Sequence, residues 1–520
     1  MRWHLALLVF AAGLGPGRAN AKIFHVDQYG AYQTIQAAAD SAANGDTLVL
    51  APGTYVGNPF LYRKDLLLRA SHPGLAVLDA DHNGAPALWA WSSYVRLDGL
   101  VLRHGTGSPM GVGIMEWGGR VDIRNCVIED NDVGVFSYRG MASQGALDVQ
   151  DCRVVDNGFG VDGSLYTRLV RVHFEGNRFA VRTSGMVDFS DLVVIHNGAP
   201  DLPDCGAVAV GGSYGRLLRC EIRDNFSSDA GASGIWASKG PFEILDCQVT
   251  GNVSDGGPAG VAIDKVQNGL VRGCTISGNR ARGQIHAGAG LTVLRSTVRV
   301  QDCTIDHNDS DAGDGGGVSV KSLAGVTANV TLDRCRILGN STAGSGGGVL
   351  VRGAHATLRE VVLADNAAGV GGGGIATLFG ATLAVRGTTV AANRSPFAGG
   401  LLLLGARADV ERSLIVFHAG AAGIYCQGQT SFRCVDVFGN GSDSLCGEDL
   451  GGNLAVDPLF CGFDPSSNRF DLRLASDSPV ASGPQGCGLL GALPVGCEAT
   501  MVRPTSWGEF KSRYRGPAEP

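Results

Sequence analysis

Aromatic and charged side chains recur two residues apart in short segments that each follow a glycine, and their spacing suggests a shared chemical role. Aromatic rings present flat apolar faces on which sugar rings can lie, and charged groups hydrogen-bond hydroxyls and carboxylates. The pattern therefore predicts a surface that binds a polysaccharide. In the alternative, the rings pack on one another or lie under a loop and bind nothing. The candidate substrate-binding residues are Trp117, Phe136, Tyr138, Trp236, Asp264, Lys321 and Arg352.

Asp162 and Arg182 occupy matching positions of two neighbouring segments, GVDGSL and AVRTSG. If these segments lie side by side as strands, the carboxylate and the guanidinium meet across them. A surface ion pair is the simpler interpretation, and a shared role at a functional site is the other.

Three carboxylates lie in one glycine-rich loop, HNDSDAGDGGG, at Asp309, Asp311 and Asp314. Oxygen ligands at this spacing could converge on calcium, although the loop lacks the spacing and the distal Glu of an EF-hand. Calcium is the one cofactor that the residues suggest, and the alternative is a loop without an ion. No His/Cys group has the spacing of a zinc site.

The elements that must position these residues are repeats. Seven segments share one pattern, a Cys, an aliphatic residue two positions on and an Asn five positions on, from CVIEDN at Cys126 to CRILGN at Cys335. The Asn positions recur at spacings of 20 to 32 residues, with β-branched runs and glycine turns between them. A period of this length without helical segments is typical of a parallel β-solenoid, in which each repeat is one turn. The repeated Asn residues are Asn131, Asn157, Asn177, Asn197, Asn225, Asn252, Asn279, Asn308, Asn340, Asn366 and Asn393.

Equivalent residues of successive turns stack in columns about 4.8 Å apart, the spacing of neighbouring strands. We therefore expect the repeat cysteines to be buried thiols and the Asn residues to form an internal ladder. Six later cysteines break the period and are candidates for disulfides; pairing of sequence neighbours is one of 15 connectivities. They are Cys426, Cys434, Cys446, Cys461, Cys487 and Cys497.

The composition fits one long body. The 520 residues include 79 Gly and only 18% charged residues, and 44% are hydrophobic, which excludes disorder for most of the chain. A net charge of -7 without basic clusters argues against nucleic acid as a partner. We expect a monomer.

The chain divides into five segments. Residues 1–21 are typical of a signal peptide, because Arg2 precedes the apolar run LALLVFAAGLG and a small-residue site ends at Ala21. Residues 22–87 predict a capping helix, with Ile35, Ala38 and Ala39 on one face, and the first turns. Residues 88–418 hold the repeats, 419–497 a disulfide-bearing closing segment, and 498–520 a loosely ordered tail. No later stretch is long enough to span a membrane, so we expect a secreted or cell-surface protein.

The segment IFHVDQYGAYQTIQAAADSAANGDTLVLAPGTYVGN resembles the entry segment of right-handed parallel β-helix proteins of the pectate-lyase and pectin-methylesterase type. The segment NLAVDPLFCGFDPSSNRFDLRLASDSPVASG resembles the closing segment of exported bacterial β-helix proteins of the choice-of-anchor kind. Phrases such as NSTAGSGGGVLV are similar to repeats of polymorphic outer-membrane proteins. These resemblances imply an all-β, right-handed parallel β-helix with a short N-terminal capping helix.

The resemblance also implies an enzymatic alternative. Polysaccharide lyases of this fold hold calcium with acidic residues and use Lys or Arg as a base, which makes Asp162 and Arg182 candidate catalytic residues. However, the adjacent Asp pair of polygalacturonases and the Asp-Phe-Ile-Phe-Gly stretch of pectin methylesterases do not occur. The sequence leaves three hypotheses: recognition of a polysaccharide or surface partner, a calcium-assisted lyase or related carbohydrate-active enzyme, and a structural surface spacer.

Overall fold

The computed structural model describes residues 21–107, 112–138, 145–163, 166–200, 206–228, 231–283, 288–418, 421–464, 469–484 and 486–498. These residues form a parallel β-solenoid of about 17 turns, which confirms the predicted fold class. Within the described part of the chain, no helix has the length and apolar character needed to span a bilayer.

Each full turn contributes a strand to each of three parallel ladders, which we call faces 1, 2 and 3. Face 1 carries the glycine-led segments and consists of Phe60–Tyr62, Leu88–Trp91, Val112–Trp117, Val133–Tyr138, Phe159–Gly163, Phe179–Thr183, Gly206–Gly211, Ile235–Ser238, Val261–Asp264, Leu291–Leu294, Val318–Lys321, Val349–Arg352 and Ile375–Leu378. Two long strands, Ala398–Glu411 and Ala422–Arg433, continue both face 1 and face 2.

Face 2 runs beside face 1 along the whole stack. Its strands are Ile23–Val26, Thr47–Leu50, Asp65–Ala70, Tyr94–Asp98, Arg120–Arg124, Ala146–Gln150, Tyr166–Val170, Val187–Ser190, Gly215–Leu218, Phe242–Leu245, Gly269–Arg272, Thr297–Gln301, Asn329–Asp333, His355–Arg359 and Thr382–Arg386, with Glu448–Asp449 after the long strands.

Face 3 holds the segment between the repeat Cys and the repeat Asn. Its strands are Gly53–Val56, Ala76–Asp79, Leu100–Arg103, Val127–Glu129, Arg153–Val155, His173–Glu175, Val193–Ile195, Glu221–Arg223, Gln248–Thr250, Thr275–Ser277, Thr304–Asp306, Arg336–Leu338, Val362–Ala364, Thr389–Ala391, Leu414–Val416 and Asp436–Phe438.

Stacked side chains hold the turns together. After Asn131, each Asn of the ladder accepts hydrogen bonds from the backbone N–H and the side-chain amide of the Asn one turn before, as Asn308 does from Asn279 at 3.1 and 2.9 Å. The seven repeat cysteines are buried free thiols, and backbone N–H groups donate to some of them, as Cys220 does to the Cys247 sulfur. Both predictions are confirmed. His418 takes the place of an Asn in the next turn, where it accepts the N–H of Asn393 and donates its own N–H to Asn440.

The N-terminal end of the core is covered as predicted. The helix Ile35–Ser41 begins after Thr34, whose hydroxyl accepts the N–H of Ala37, and it buries Ile35, Ala38 and Ala39. The buried side of the helix covers the first turns. Without such a cap, the terminal turn of a solenoid would expose its core to solvent.

The late cysteines form three disulfides, Cys426–Cys446, Cys434–Cys487 and Cys461–Cys497. Disulfides are confirmed, but the pairing of sequence neighbours is wrong. Cys426 lies on the face 1 part of the strand Ala422–Arg433, and Cys434 directly follows its face 2 part, so the two cysteines belong to different faces of the solenoid. Bonded cysteines need Cα atoms within about 7 Å. The closing strands are Phe460–Asp464, Arg469–Ala475 and Val495–Cys497. Cys426–Cys446 lies within the last turns, Cys434–Cys487 fastens a last turn to the closing segment, and Cys461–Cys497 joins the first and third closing strands.

Candidate functional site

Seven aromatic side chains lie together on the outer surface of face 1, in four successive turns. Parallel pairing sets Tyr62, Trp91, Trp117 and Tyr138 in one column. A second column, two residues earlier in each strand, holds the others. We call the set the open strip: Phe60, Tyr62, Trp89, Trp91, Trp117, Phe136 and Tyr138.

The rings of the open strip contact one another from turn to turn. Ring centroids are 5.5 Å apart for Trp91 and Trp117, 4.8 Å for Trp117 and Tyr138, and 6.4 Å for Phe60 and Trp91. Trp91 is nevertheless 40% exposed and Tyr138 45%. The sequence left open whether the rings pack on one another or face solvent. In the structure they do both.

Connections of a single residue lead into two of the early face 1 strands. Only Asp132 separates Asn131 of the ladder from the face 1 strand Val133–Tyr138, and one residue likewise separates Asn157 from Phe159–Gly163. A connection of one residue turns the corner without covering the strand that follows.

Asp162 and Arg182 mark the far end of the open strip. They are direct cross-strand partners, and the Arg182 Nη2 lies 2.6 Å from the Asp162 Oδ2. The same guanidinium lies 4.3 Å from the ring centre of Phe159, which stacks on Phe179. The predicted meeting of the two charges is confirmed, and their catalytic role stays a prediction.

Later turns of face 1 bear the same kind of outer positions, but these are covered. We call this row the covered strip, and its members are all buried: Ala262, Thr292, Ser319, Leu350, Ala376 and Leu402.

Glycine-rich corner segments cover this row. They follow the Asn ladder and include the short strands Phe226–Ser227, Val253–Ser254, Arg280–Ala281, Asp309–Ser310, Ser341–Thr342 and Ala367–Ala368. A Cβ on Gly346 would lie 2.9 Å from the Leu350 Cα, and one on Gly372 2.8 Å from the Ala376 Cβ. Only glycine allows the segment to approach the sheet this closely.

Three predicted binding residues lie in the covered region, where their surroundings differ from those of the open strip. Asp264 is buried and binds Arg295 through both oxygens, at 2.8 and 2.6 Å. Lys321 is also buried, and desolvation lowers its pKa. Arg352 stays exposed and lies over the ring of Phe379, 4.4 Å from its centre. Trp236 is half-buried. Their binding role stays a prediction, and the open surface lies elsewhere.

Two of the three loop carboxylates lie beside one arginine, and the third has another partner. Arg280 lies 3.8 Å from Asp309 and 3.0 Å from Asp311, whereas Asp314 accepts the N–H of Ser345 at 3.0 Å. Within the described part of the chain, the three carboxylates do not form a group whose oxygen atoms lie close enough together to share one metal ion. Calcium binding here stays a prediction.

Sequence analysis missed four members of the open strip: Phe60, Tyr62, Trp89 and Trp91. The sequence does contain a signal for them. FLY and LWAW each hold two aromatic residues two positions apart, which places both side chains on the same side of a strand. They were overlooked because no glycine corner introduces these early strands.

The other outer surfaces carry charges that neutralise one another. On face 2, Arg168 binds Asp148 and Arg216 binds Asp188 across turns. At the corner between faces 2 and 3, Arg334 binds Asp302. The open strip thus differs from its surroundings in being aromatic.

Comparison with known proteins supports the architecture. Residues 179–346 match the family model described as right handed beta helix region, so the solenoid is a right-handed parallel β-helix. Among solved structures, a mannuronan C-5 epimerase A-module from Azotobacter vinelandii is 14% identical, with a TM-score of 0.33 over 84% of this chain and 100% of that one. A pectate lyase is 12% identical, with a TM-score of 0.24 over 92% and 98%. No curated protein sequence matches significantly. None of these likenesses assigns an activity.

Proposed function

We propose that the protein binds a polysaccharide along the open strip of face 1. The observation that carries the proposal is a continuous, solvent-exposed row of aromatic rings on four successive turns. Stacked rings of this kind are rigid and offer apolar faces at little conformational cost, which suits the flat faces of sugar rings.

The direction of the row favours a polymer. Successive turns are about 4.8 Å apart, so the row extends about 14 Å along the solenoid axis. A chain of sugars lying parallel to that axis meets a new ring at each turn. The pair Asp162 and Arg182 lies where such a chain would leave the rings, and it can hydrogen-bond hydroxyls or a carboxylate.

The three disulfides are consistent with an extracellular protein, where polysaccharides are found. Secretion through an N-terminal signal and a cell-surface location are parts of the same proposal.

Titration calorimetry with oligosaccharides of increasing length tests the proposal, after a glycan array has identified the sugar. We expect affinity to rise with length until the oligosaccharide covers four turns, about 14 Å, and then to level off. An affinity that does not depend on oligosaccharide length, or no binding to any glycan, would overturn the proposal and leave the hypothesis of a structural spacer. Release of unsaturated sugars from uronate polymers with calcium would instead establish the lyase.

A further inference from the structure

Two histidines and an aspartate stack at one corner of the solenoid, outside the open strip. His82, His104 and Asp130 follow face 3 in three successive turns. Backbone hydrogen bonds hold them in one column, from the His82 N–H to the His104 carbonyl at 3.1 Å and from the His104 N–H to the Asp130 carbonyl at 3.0 Å.

Their potential ligand atoms are close together. One atom from each of the three side chains lies within 4.8 Å of the other two, and the His104 Nε2 is 3.4 Å from the Asp130 Oδ2. The His82 and His104 rings stack with centroids 4.3 Å apart. In the described part of the chain, no other three His, Cys, Asp or Glu residues meet this closely.

A buried carboxylate sets the orientation of His104. The Asp79 Oδ1 lies 2.8 Å from the His104 Nδ1, and the Arg103 Nε donates to the Asp79 Oδ2 at 2.9 Å. The Asp79 carboxylate accepts the Nδ1–H of His104, which leaves the Nε2 lone pair free to bind a metal.

We propose that His82, His104 and Asp130 bind one divalent transition-metal ion, with Asp79 as the residue that positions His104. Two imidazole nitrogens and one carboxylate form a donor set that suits zinc and not calcium, which takes oxygen ligands. Three protein ligands leave a fourth tetrahedral position for water. His82 is exposed, so its ring can tilt out of the stack to meet the ion.

Titration calorimetry of the full, tag-free chain with zinc chloride tests this site. We expect one zinc ion per chain. Because His82, His104 and the control residue His307 all have positive φ angles, each is replaced by Asn, which tolerates that backbone. His307 occupies the equivalent corner of a later turn and contacts Asp306.

We expect His104→Asn and His82→Asn each to weaken zinc binding at least ten-fold and His307→Asn to leave it unchanged. Asp79→Asn should weaken it about 10- to 100-fold. With cobalt in place of zinc, visible absorption bands of a tetrahedral ion should appear and be lost in His104→Asn. Absence of stoichiometric zinc binding, or equal losses in His104→Asn and His307→Asn in folded proteins, would overturn the site.

Discussion

The two halves of face 1 share one backbone and differ in what lies over it. In the early turns, one residue joins Asn131 to the strand Val133–Tyr138, and aromatic rings occupy the open surface. In the later turns, a glycine-rich segment follows each Asn and lies over Leu350 and its equivalents. The presence of a glycine-rich corner segment over the sheet therefore decides whether the same position is exposed or belongs to a second, outer layer of packing.

The inner row beneath each half differs as well. Below the open strip, one inward column includes Glu116 and Ser137, which are buried polar side chains. Below the covered strip, the same column holds aliphatic side chains such as Val293 and Val320, with Thr377 as a polar member. This column is thus more polar beneath the open strip.

The largest expected effect is on binding by the open half. Replacing both Trp91 and Trp117 by Ala removes the centre of the open strip, and truncation of a central aromatic residue typically costs about 2 kcal/mol or more. We expect the double variant to bind the glycan at least 100-fold more weakly in titration calorimetry, which is about 3 kcal/mol.

The control for this variant lies in the other half. Phe379 is 68% exposed but stands beyond the open strip, near Arg352. Phe379→Ala should bind as the unmodified chain does. Equal losses of glycan affinity in both variants would mean that any exposed ring contributes to binding, which would contradict the contrast between the halves.

The next effect is on stability of the covered half. Gly346 has a φ of +75°, and a Cβ there would meet the Val349 carbonyl oxygen at 2.7 Å and the Leu350 Cα at 2.9 Å. Gly346→Ala combines backbone strain with overpacking, so we expect a loss of about 3 kcal/mol in the free energy of unfolding, measured in urea.

Gly380 is the matched control, because its φ is +72° and nothing lies within 4 Å of an added Cβ. Gly380→Ala should lose only the backbone contribution, about 1 kcal/mol. If the two variants were equally destabilised, the close approach of the corner segment at Gly346 would contribute nothing.

An effect of similar size depends on pH and comes from the core beneath the open strip. Desolvation raises the pKa of Glu116 to about 7, although the carboxylate accepts hydrogen bonds from the Gly119 N–H and the Ser137 hydroxyl. The unfolded chain releases this proton near pH 4.5, whereas the folded chain holds it until about pH 7. The folded state therefore loses stability as pH rises between these values.

Glu116→Gln removes the titration and keeps hydrogen-bonding groups of the same shape. We expect it to unfold like the unmodified chain at pH 4 and to be about 3 kcal/mol more stable at pH 8. Glu448→Gln, at an exposed strand position, should change neither value. A constant difference at both pH values would contradict the assigned shift.

The turns were predictable because the inner columns repeat in the sequence. Eleven successive repeats carry the same Asn, because its side chain hydrogen-bonds its copy one turn away. The outer surface was not predictable to the same degree. Alternation shows that Trp117 and Leu350 both point outward, but it does not show which of them a corner segment covers, because that depends on contacts between segments distant in sequence.

The smallest effect concerns the boundary between the halves. Asp162 and Arg182 form a partly exposed ion pair at the end of the open strip, and such pairs contribute about 0.5 kcal/mol. Asp162→Asn should therefore change the free energy of unfolding by no more than about this amount and glycan affinity by less than about three-fold. Arg334→Gln, at the pair with Asp302 on another corner, provides the control for loss of a surface pair. If the glycan were cleaved by the unmodified chain and left intact by Asp162→Asn, the boundary would hold a catalytic residue, and the open strip would be the approach to an active site.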